Sequence, residues 1–381
     1  IPAALPVLET GTRVLRADNG CEVTLGELLV SGEQPVVWSL DERMRMVARS
    51  MTKVFPSGRK EVFRLTLDSG RQVEATANHP FLTVDGWIPL GELTVGERVA
   101  APRAVPAPLA THAVSEDDVV ALAERAVVES SVPSQAFALP KEQVAALVCH
   151  VWEGNGIVAW DGARGRADVR YPCAARGLAD DLARLLLRIG VFARIAAAET
   201  GWDVVVTGPE NQAVFLHDVG AHGTAAQWVL AQLGPKLVRH DADTVTPDVE
   251  AALGRLLAVE ELAPSELVAA AASRSVGGSR SSLAQVAGVL DTADIDMLAT
   301  NNVYWDEIVS IVSLGEQDVY DGTVPGTHNF VADGISVHNS LEQDADMVIL
   351  LHRPDAFERD DPRGGEADLI LGKHRNGPTA T

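Results

Sequence analysis

From Gly11 to Arg103 the chain is patterned against helix. TRVLRADNG, PVVWSLD, RMRMVARSMTKVF, EVFRLTLDSGRQVEAT and HPFLTVDGW alternate apolar with polar residues, and Gly, Asp or Asn turns separate them. A period of two puts every second side chain on one face, so these runs predict a hairpin-built unit that is β throughout. The pattern returns after residue 300, in VYWDEIVSIVSLG, DVYDGTV and the two short runs of THNFVADGISVHN around the turn Ala332-Asp333-Gly334. Two β segments of one kind therefore flank something different.

What lies between them is mainly helical. APRAVPAPLATHAV, from Ala101, is a Pro- and Ala-rich linker that ends the strand pattern. Beyond it EDDVVALAERAVVE, PKEQVAALVCHVWEG and GLADDLARLLLRIG carry apolar residues three and four apart, while VRYPCA, VFARIAA and WDVVVTG read as strands. With 381 residues, 46% of them hydrophobic, two or three domains can each have a core. The expected divisions are 1–105, 106–300, 301–339 and 340–381, and the lack of an initiator Met suggests a fragment.

Charge and cysteine usage exclude several classes. A net charge of -22 argues against a general binder of nucleic acid or anionic membrane, which needs clustered Lys and Arg. Cys21, Cys149 and Cys173 are odd in number and lack metal-ligand spacing, so no disulfide framework or zinc site is expected, and a reducing cytoplasm is the default. No apolar run approaches the ~18 residues of a membrane-spanning helix, so no membrane partner is expected. Ile1 to Leu8 lacks the basic start of a signal peptide.

The tripeptide His338-Asn339-Ser340 carries a chemistry of its own. An Asn side-chain amide can attack its own backbone carbonyl to form a succinimide, which cuts the chain after Asn if a neighbouring acid protonates the departing amine. His338 is placed to supply that proton, and Ser340 offers a hydroxyl nucleophile just beyond the cut.

A second stretch, GRQVEATANHPFLTVDGW from Gly70 to Trp87, resembles the Thr-x-x-His motif of inteins, protein-splicing elements with an all-β Hint (horseshoe) fold. THNFVADGISVHN resembles their C-terminal motif, and the paired motifs stand in the family's order. The resemblance implies that Thr76 and His79 hydrogen-bond the amide at the upstream junction, with His79 protonating its nitrogen and Asn78 assisting. A switch in protonation near pH 7 would suit that role. It implies further that Asp321 coordinates the two junctions and that His328 assists cyclisation of Asn339. Splicing would need no cofactor, and its partners would be the chain's own flanking segments, the N- and C-exteins.

The upstream junction departs from the family pattern. Inteins mostly begin with Cys or Ser, yet Ile1 to Glu9 contains no Cys, Ser or Thr, and LETGTRVLRADNG aligned with an intein start puts the first residue near Ala3 or Ala4. A variant that uses an internal cysteine has Trp two residues after the motif His and Cys in place of the aspartate. Phe81 and Asp321 occupy those places, which leaves direct attack by Ser340 on the upstream peptide bond.

Helix, strand and strand inserted into an intein resemble a LAGLIDADG homing endonuclease of α/β fold, with LVCHVWEGNG, Leu147 to Gly156, in the place of its first signature helix. Those enzymes hold Mg²⁺ between paired acids, and Glu153 would be the first. VAGVLDTAD, from Val286, offers Asp291 or Asp294 as the second, but with an extra residue and no matching glycine, so it reads as an ordinary amphipathic helix. From Pro106 to Thr300, 14 Lys and Arg face 25 Asp and Glu, where a DNA-gripping saddle should be basic. A decayed endonuclease follows.

Beyond Asn339, SLEQDADMVILLHRPDAFERDDPRGGEADLILGKHRNGPTAT resembles the C-terminal ATPase domain of DnaB-type replicative helicases. MVILLHR and ADLILGKHR read as buried strands of a RecA-like α/β sheet. The resemblance implies that Lys373 and Arg375 reach the γ-phosphate of ATP on the next subunit, and that the intact helicase uses ATP and Mg²⁺ as a hexameric ring on single-stranded DNA during replication. No GxxxxGK[ST] loop occurs here, so the fragment lacks its own P-loop. The expected function is intein-mediated splicing out of such a helicase. The alternatives are an active LAGLIDADG endonuclease and a Hint autoprocessing domain that cleaves without ligating.

Overall fold

The computed structural model describes residues 8–237, 301–339, 347–352 and 368–374. Its first antiparallel sheet runs Leu8–Glu9, Gln72–Thr76, Lys53–Leu67, Val303–Thr323, Arg98–Pro102. A second runs Glu22–Thr24, Arg13–Leu15, Asn329–Ala332, Ile335–His338, Pro80–Thr83, Gly86–Pro89. Both sheets mix strands from before and after the insertion, so the two β segments form one unit. Val303–Thr323 is a single strand where two runs were expected. Register shifts after Ile308, Ser313 and Asp318 let its 21 residues bend without ending.

The first segment is not β throughout. Leu25–Ser31 is a helix started by a capping box, in which Thr24 Oγ1 accepts from Glu27 N–H at 3.1 Å and the Glu27 carboxylate accepts from Thr24 N–H at 2.9 Å. It ends at Gly32, which holds the left-handed φ of 68°. Alternation obscured it because its two buried residues, Leu25 and Leu28, span less than one turn.

In the insert, helices Glu116–Glu129, Lys141–Asn155 and Arg176–Arg188 lie where the periodicity predicts them, joined by Pro209–Asp218 and Gly223–Leu237, which it did not predict. They pack with a four-stranded antiparallel sheet in the order Ile157–Asp161, Arg166–Cys173, Gly201–Val206, Ala193–Ala198. Ile157–Asp161 was missed because IVAWD is too short to show a period.

The proposed linker from Ala101 is packed against its neighbours. Ala101 pairs with Tyr304, Val105 N–H donates to the Leu187 carbonyl at 3.1 Å, and Leu109 N–H donates to the Ala17 carbonyl at 2.8 Å. Leu187 and Phe192 of the insert are buried in one cluster with Leu15, Trp38, Val303 and Trp305. The insert and the β unit thus share a core.

After Asn339, Met347–His352 and Asp368–His374 pair antiparallel, consistent with the two strands expected there.

Phe192→Ala should cost ~3–5 kcal/mol and, because the core is shared, lower the melting of insert and β unit together in one calorimetric transition. A scan in which only part of the heat shifts would show the two to be independent.

Candidate active site

The end of the β unit is built around the hairpin Asn329–Ala332 and Ile335–His338. Its loop residues Asp333 and Gly334 have φ of 49° and 74°, the positive values a tight two-residue hairpin loop demands. Asn329 locks the hairpin to the strand Val36–Leu40: its Nδ2 donates to the Leu40 carbonyl at 2.8 Å and its Oδ1 accepts from Leu40 N–H at 2.7 Å.

The hairpin ends in a buried cluster. Asn339 is 1% exposed, and its N–H donates to the His328 carbonyl at 2.8 Å. The side-chain amide is assigned by its surroundings: only with its oxygen toward Val324 N–H, at 2.9 Å, and its nitrogen toward the same His328 carbonyl are both backbone groups matched. Two backbone groups therefore orient the whole amide. His328 takes a left-handed φ of 56°, uncommon outside glycine, which belongs to the turn presenting that carbonyl. His338 Nδ1 touches the Asn339 carbonyl oxygen, and Trp87 packs edge-on to the His338 ring with centroids 4.7 Å apart. The rings of His328 and His338 stack at 6.5 Å. Burial pushes the His338 pKa down, the contact with Asn339 opposes this, and His328 adds to it.

The Thr76–His79 segment is the turn that joins the strand Gln72–Thr76 to Pro80–Thr83, the hairpin's neighbour. His79 N–H donates to the Thr76 carbonyl at 2.9 Å, closing a tight turn, and Thr76 Oγ1 donates to Asn78 Oδ1 at 2.7 Å. His79 is fully buried, edge-on to Phe81 at 5.5 Å, and among the described residues neither ring nitrogen has a hydrogen-bond partner. An unpaired buried polar group costs ~1–3 kcal/mol. Burial, with His338 nearby, holds the His79 pKa down at about 3. The expected switch near pH 7 is thereby corrected: this imidazole is neutral in the folded protein, since low-dielectric surroundings penalise the cation.

Asp321 is buried on the strand Val303–Thr323, its Oδ1 accepting from Gly322 N–H at 2.7 Å. Leu8 pairs with Ala75 on one side and Tyr320 on the other. Thr76 and Asp321 directly follow those two partners of Leu8 along their strands. The structure thus brings Thr76, His79, His328, His338 and Asn339 to one end of the β unit.

The remaining candidates stand apart. Glu153 is exposed on the last turn of Lys141–Asn155, and the described residues contain no group of three or more His, Cys, Asp or Glu able to hold a metal ion. Lys373 lies on the strand Asp368–His374. Ser340, Arg375, Asp291, Asp294 and the candidate first residues Ala3 and Ala4 lie outside the described residues. Sequence pattern did not single out Trp87 or Asn329, because an edge-on ring contact and a cross-strand amide bond leave no local signature.

The depressed His79 pKa sets an acid limit on stability. Between pH 6.5 and 3 the unfolded chain takes up a proton that the folded chain refuses, so stability falls with pH there by up to ~1.4 kcal/mol per unit. Urea unfolding from pH 6.5 to 4 should show a shallower loss in His79→Gln than in the wild type, and equal slopes would place a partner on the ring.

Residues 14–339 match the family model of the intein splicing domain, and residues 332–381 match that of the DnaB-like helicase C-terminal domain. The replicative DNA helicase DnaB of Synechocystis is 26% identical, covering 95% of this chain and 53% of that protein. The DnaB of Mycobacterium leprae is 90% identical over 42 residues, 11% of this chain and 7% of that protein. The chain spans about half the length of the relatives it matches along most of its own. Among solved structures the Ssp DnaB mini-intein variant M86 is 18% identical with a TM-score of 0.37, covering 89% of this chain and 97% of that one, a likeness that adds nothing to the family match. The match over residues 14–339 takes in the whole buried cluster from Thr76 to Asn339, and the chain belongs to the intein splicing domain family, continuing into DnaB-type helicase sequence.

Proposed function

We propose that this chain splices itself out of a replicative helicase, with Thr76, His79, Asp321, His328, His338, Asn339 and Ser340 as the reacting set. The observation that carries the reading is the orientation of Asn339, whose side-chain amide is fixed by Val324 and His328 while its own carbonyl oxygen meets His338. Asn339 Nδ2 forms a bond to its own carbonyl carbon and gives up one of its two protons, the bond to the Ser340 nitrogen breaks, and that nitrogen takes up one proton as it leaves as an amine, so the step is balanced in protons. His338, donating through Nδ1, stabilises the negative charge that grows on the carbonyl oxygen. Delivering a proton to the Ser340 nitrogen would then follow from a small shift of the ring. His328 assists through its backbone carbonyl, which accepts from Nδ2–H and aims it.

At the upstream junction Thr76 and His79 activate an amide. A neutral His79 with both nitrogens unpaired is suited to accept one hydrogen bond and donate another to the arriving peptide. Ser340 attacks that carbonyl directly and Asp321 stands between the two junctions. An amide is a poor electrophile, so such a site has to be preorganised.

The insert is read as a decayed LAGLIDADG endonuclease on the succession of helix, two strands, helix, two strands. VAGVLDTAD, with Asp291 and Asp294, reads as an ordinary amphipathic helix and lies outside the described residues, and the charge balance opposes DNA. In the intact helicase, Lys373 and Arg375 would face ATP and Mg²⁺ on the next subunit of a hexameric ring on single-stranded DNA.

With upstream residues restored, Ser340→Ala should stop ligation and upstream cleavage together while release at Asn339 persists, and Asn339→Ala should abolish that release. Mass spectrometry reads all three. Upstream release from Ser340→Ala protein by thiol reagents would instead reveal a thioester and defeat direct attack. Purified protein with Mg²⁺ should leave DNA carrying the uninterrupted helicase site uncut, and site-specific cutting that disappears in Glu153→Gln would overturn the decayed reading.

A further inference from the structure

The insert meets the splicing hairpin in the apolar cluster of Leu187 and Phe192 with Val331, and at the hairpin loop through a guanidinium. Arg13, on the strand Arg13–Leu15, lies 3.4 Å from each of three carboxylates: Glu22 through Nη1, Asp180 of the insert helix Arg176–Arg188 through Nη2, and Asp333 of the hairpin loop through Nε. Backbone contacts reinforce the last, since Arg13 N–H donates to Asp333 Oδ1 at 3.2 Å and Asp333 N–H donates to the Arg13 carbonyl at 2.8 Å. The insert holds its own end firmly. Arg176 Nε bonds Asp180 at 3.0 Å and Arg184 lies 3.3 Å from Glu22.

The pairs are partly shielded from solvent. The side chains of Glu22, Asp180 and Asp333 are 8%, 18% and 14% exposed and that of Arg13 is 36% exposed, so the attraction is stronger than at an open surface and still partly screened. Burial opposes the charge on Arg13, yet Glu22, Asp333 and Asp180 together raise its pKa. Burial pushes the Asp333 carboxyl up to about 7 against the pull of Arg13, with Glu22 adding to the rise. Arg71 is the other cation beside this loop, since a Cβ on Gly334 would lie 3.0 Å from its Nε.

The hairpin is locked at its open end, where Asn329 bonds Leu40 through both amide atoms, and its strand residues are buried. At the loop end the ladder is sparse: among the described residues, each strand has one registered pair outside the hairpin, Ala332 with Val14 and Val337 with Phe81. Four strand residues, Ile335–His338, separate the loop from Asn339. The ion pair at Asp333 therefore acts on the less tightly laddered end, and a shift there is passed along Ile335–His338 to the contact between His338 and the Asn339 carbonyl.

We propose that Arg13 is a positioning residue through which Asp180 of the insert sets the docking of the hairpin carrying His338 and Asn339. The insert then belongs to the splicing machinery, whatever its dealings with DNA. This rests on cleavage at Asn339, and the experiment separates the two claims.

In the 381-residue chain, the first-order release of the segment beginning at Ser340 is followed by mass spectrometry. Asp180→Ala and Asp333→Asn should each slow it by about fivefold or more, with the double variant no slower than the slower single. Asp180→Glu should restore the rate to within about twofold. Arg194→Ala removes another ion pair across the same boundary, Arg194 with Asp68 at 2.7 Å, away from the hairpin. It should leave the rate within about twofold, which a merely structural role for the boundary would not allow. An unchanged rate in Asp180→Ala, or an equal slowing in Arg194→Ala, overturns the proposal. Release that survives Asn339→Ala would instead overturn the cleavage reading on which it rests.

Discussion

Everything at the reacting end depends on one long-range pairing, that of Val303–Thr323 with Lys53–Leu67 across the whole insert. It carries Asp321 into the first sheet and delivers the chain to Val324, from which the turn to His328 and the final hairpin start. Without it the Thr-x-x-His segment and the His-Asn end would belong to separate pieces. Such a pairing requires closing a loop of more than 200 residues, but loop closure grows only logarithmically with length. A packed insert shortens the effective loop further, because Leu187 and Phe192, in its middle, are buried against the β unit.

The site combines two opposite treatments of polar groups. Around Asn339 every polar atom of the side chain is engaged, which fixes one rotamer and one direction of approach. Around His79 both ring nitrogens are left open at full burial.

The insert alters how the β unit should be viewed. Its helix Arg176–Arg188 supplies Asp180 and Arg184 to the ion cluster at Arg13, and Arg176 donates to the Gly70 carbonyl at 2.6 Å. Ile195 N–H donates to the Ser69 carbonyl at 2.7 Å on the same turn. A unit tethered only by linkers would leave those groups to water. Here they are desolvated together, so the two units hold each other in one arrangement.

The sequence by itself determined the β character of the two flanking segments, the helical character of the insert and the splicing family. Alternation marked the strands, three- and four-residue spacing marked the first three insert helices, and two short motifs with their order marked Thr76, His79, His338 and Asn339. It missed Leu25–Ser31, Ile157–Asp161 and the two later helices, whose patterns are too short or too weakly amphipathic to register. Tertiary structure alone decided that the linker from Ala101 is packed, that His79 is neutral rather than poised near pH 7, and that His338 meets a carbonyl oxygen. Each of these is set by burial and by partners distant in the chain, such as Trp87 on His338 or Asp180 on Arg13, and no local window of sequence contains both members of such a pair.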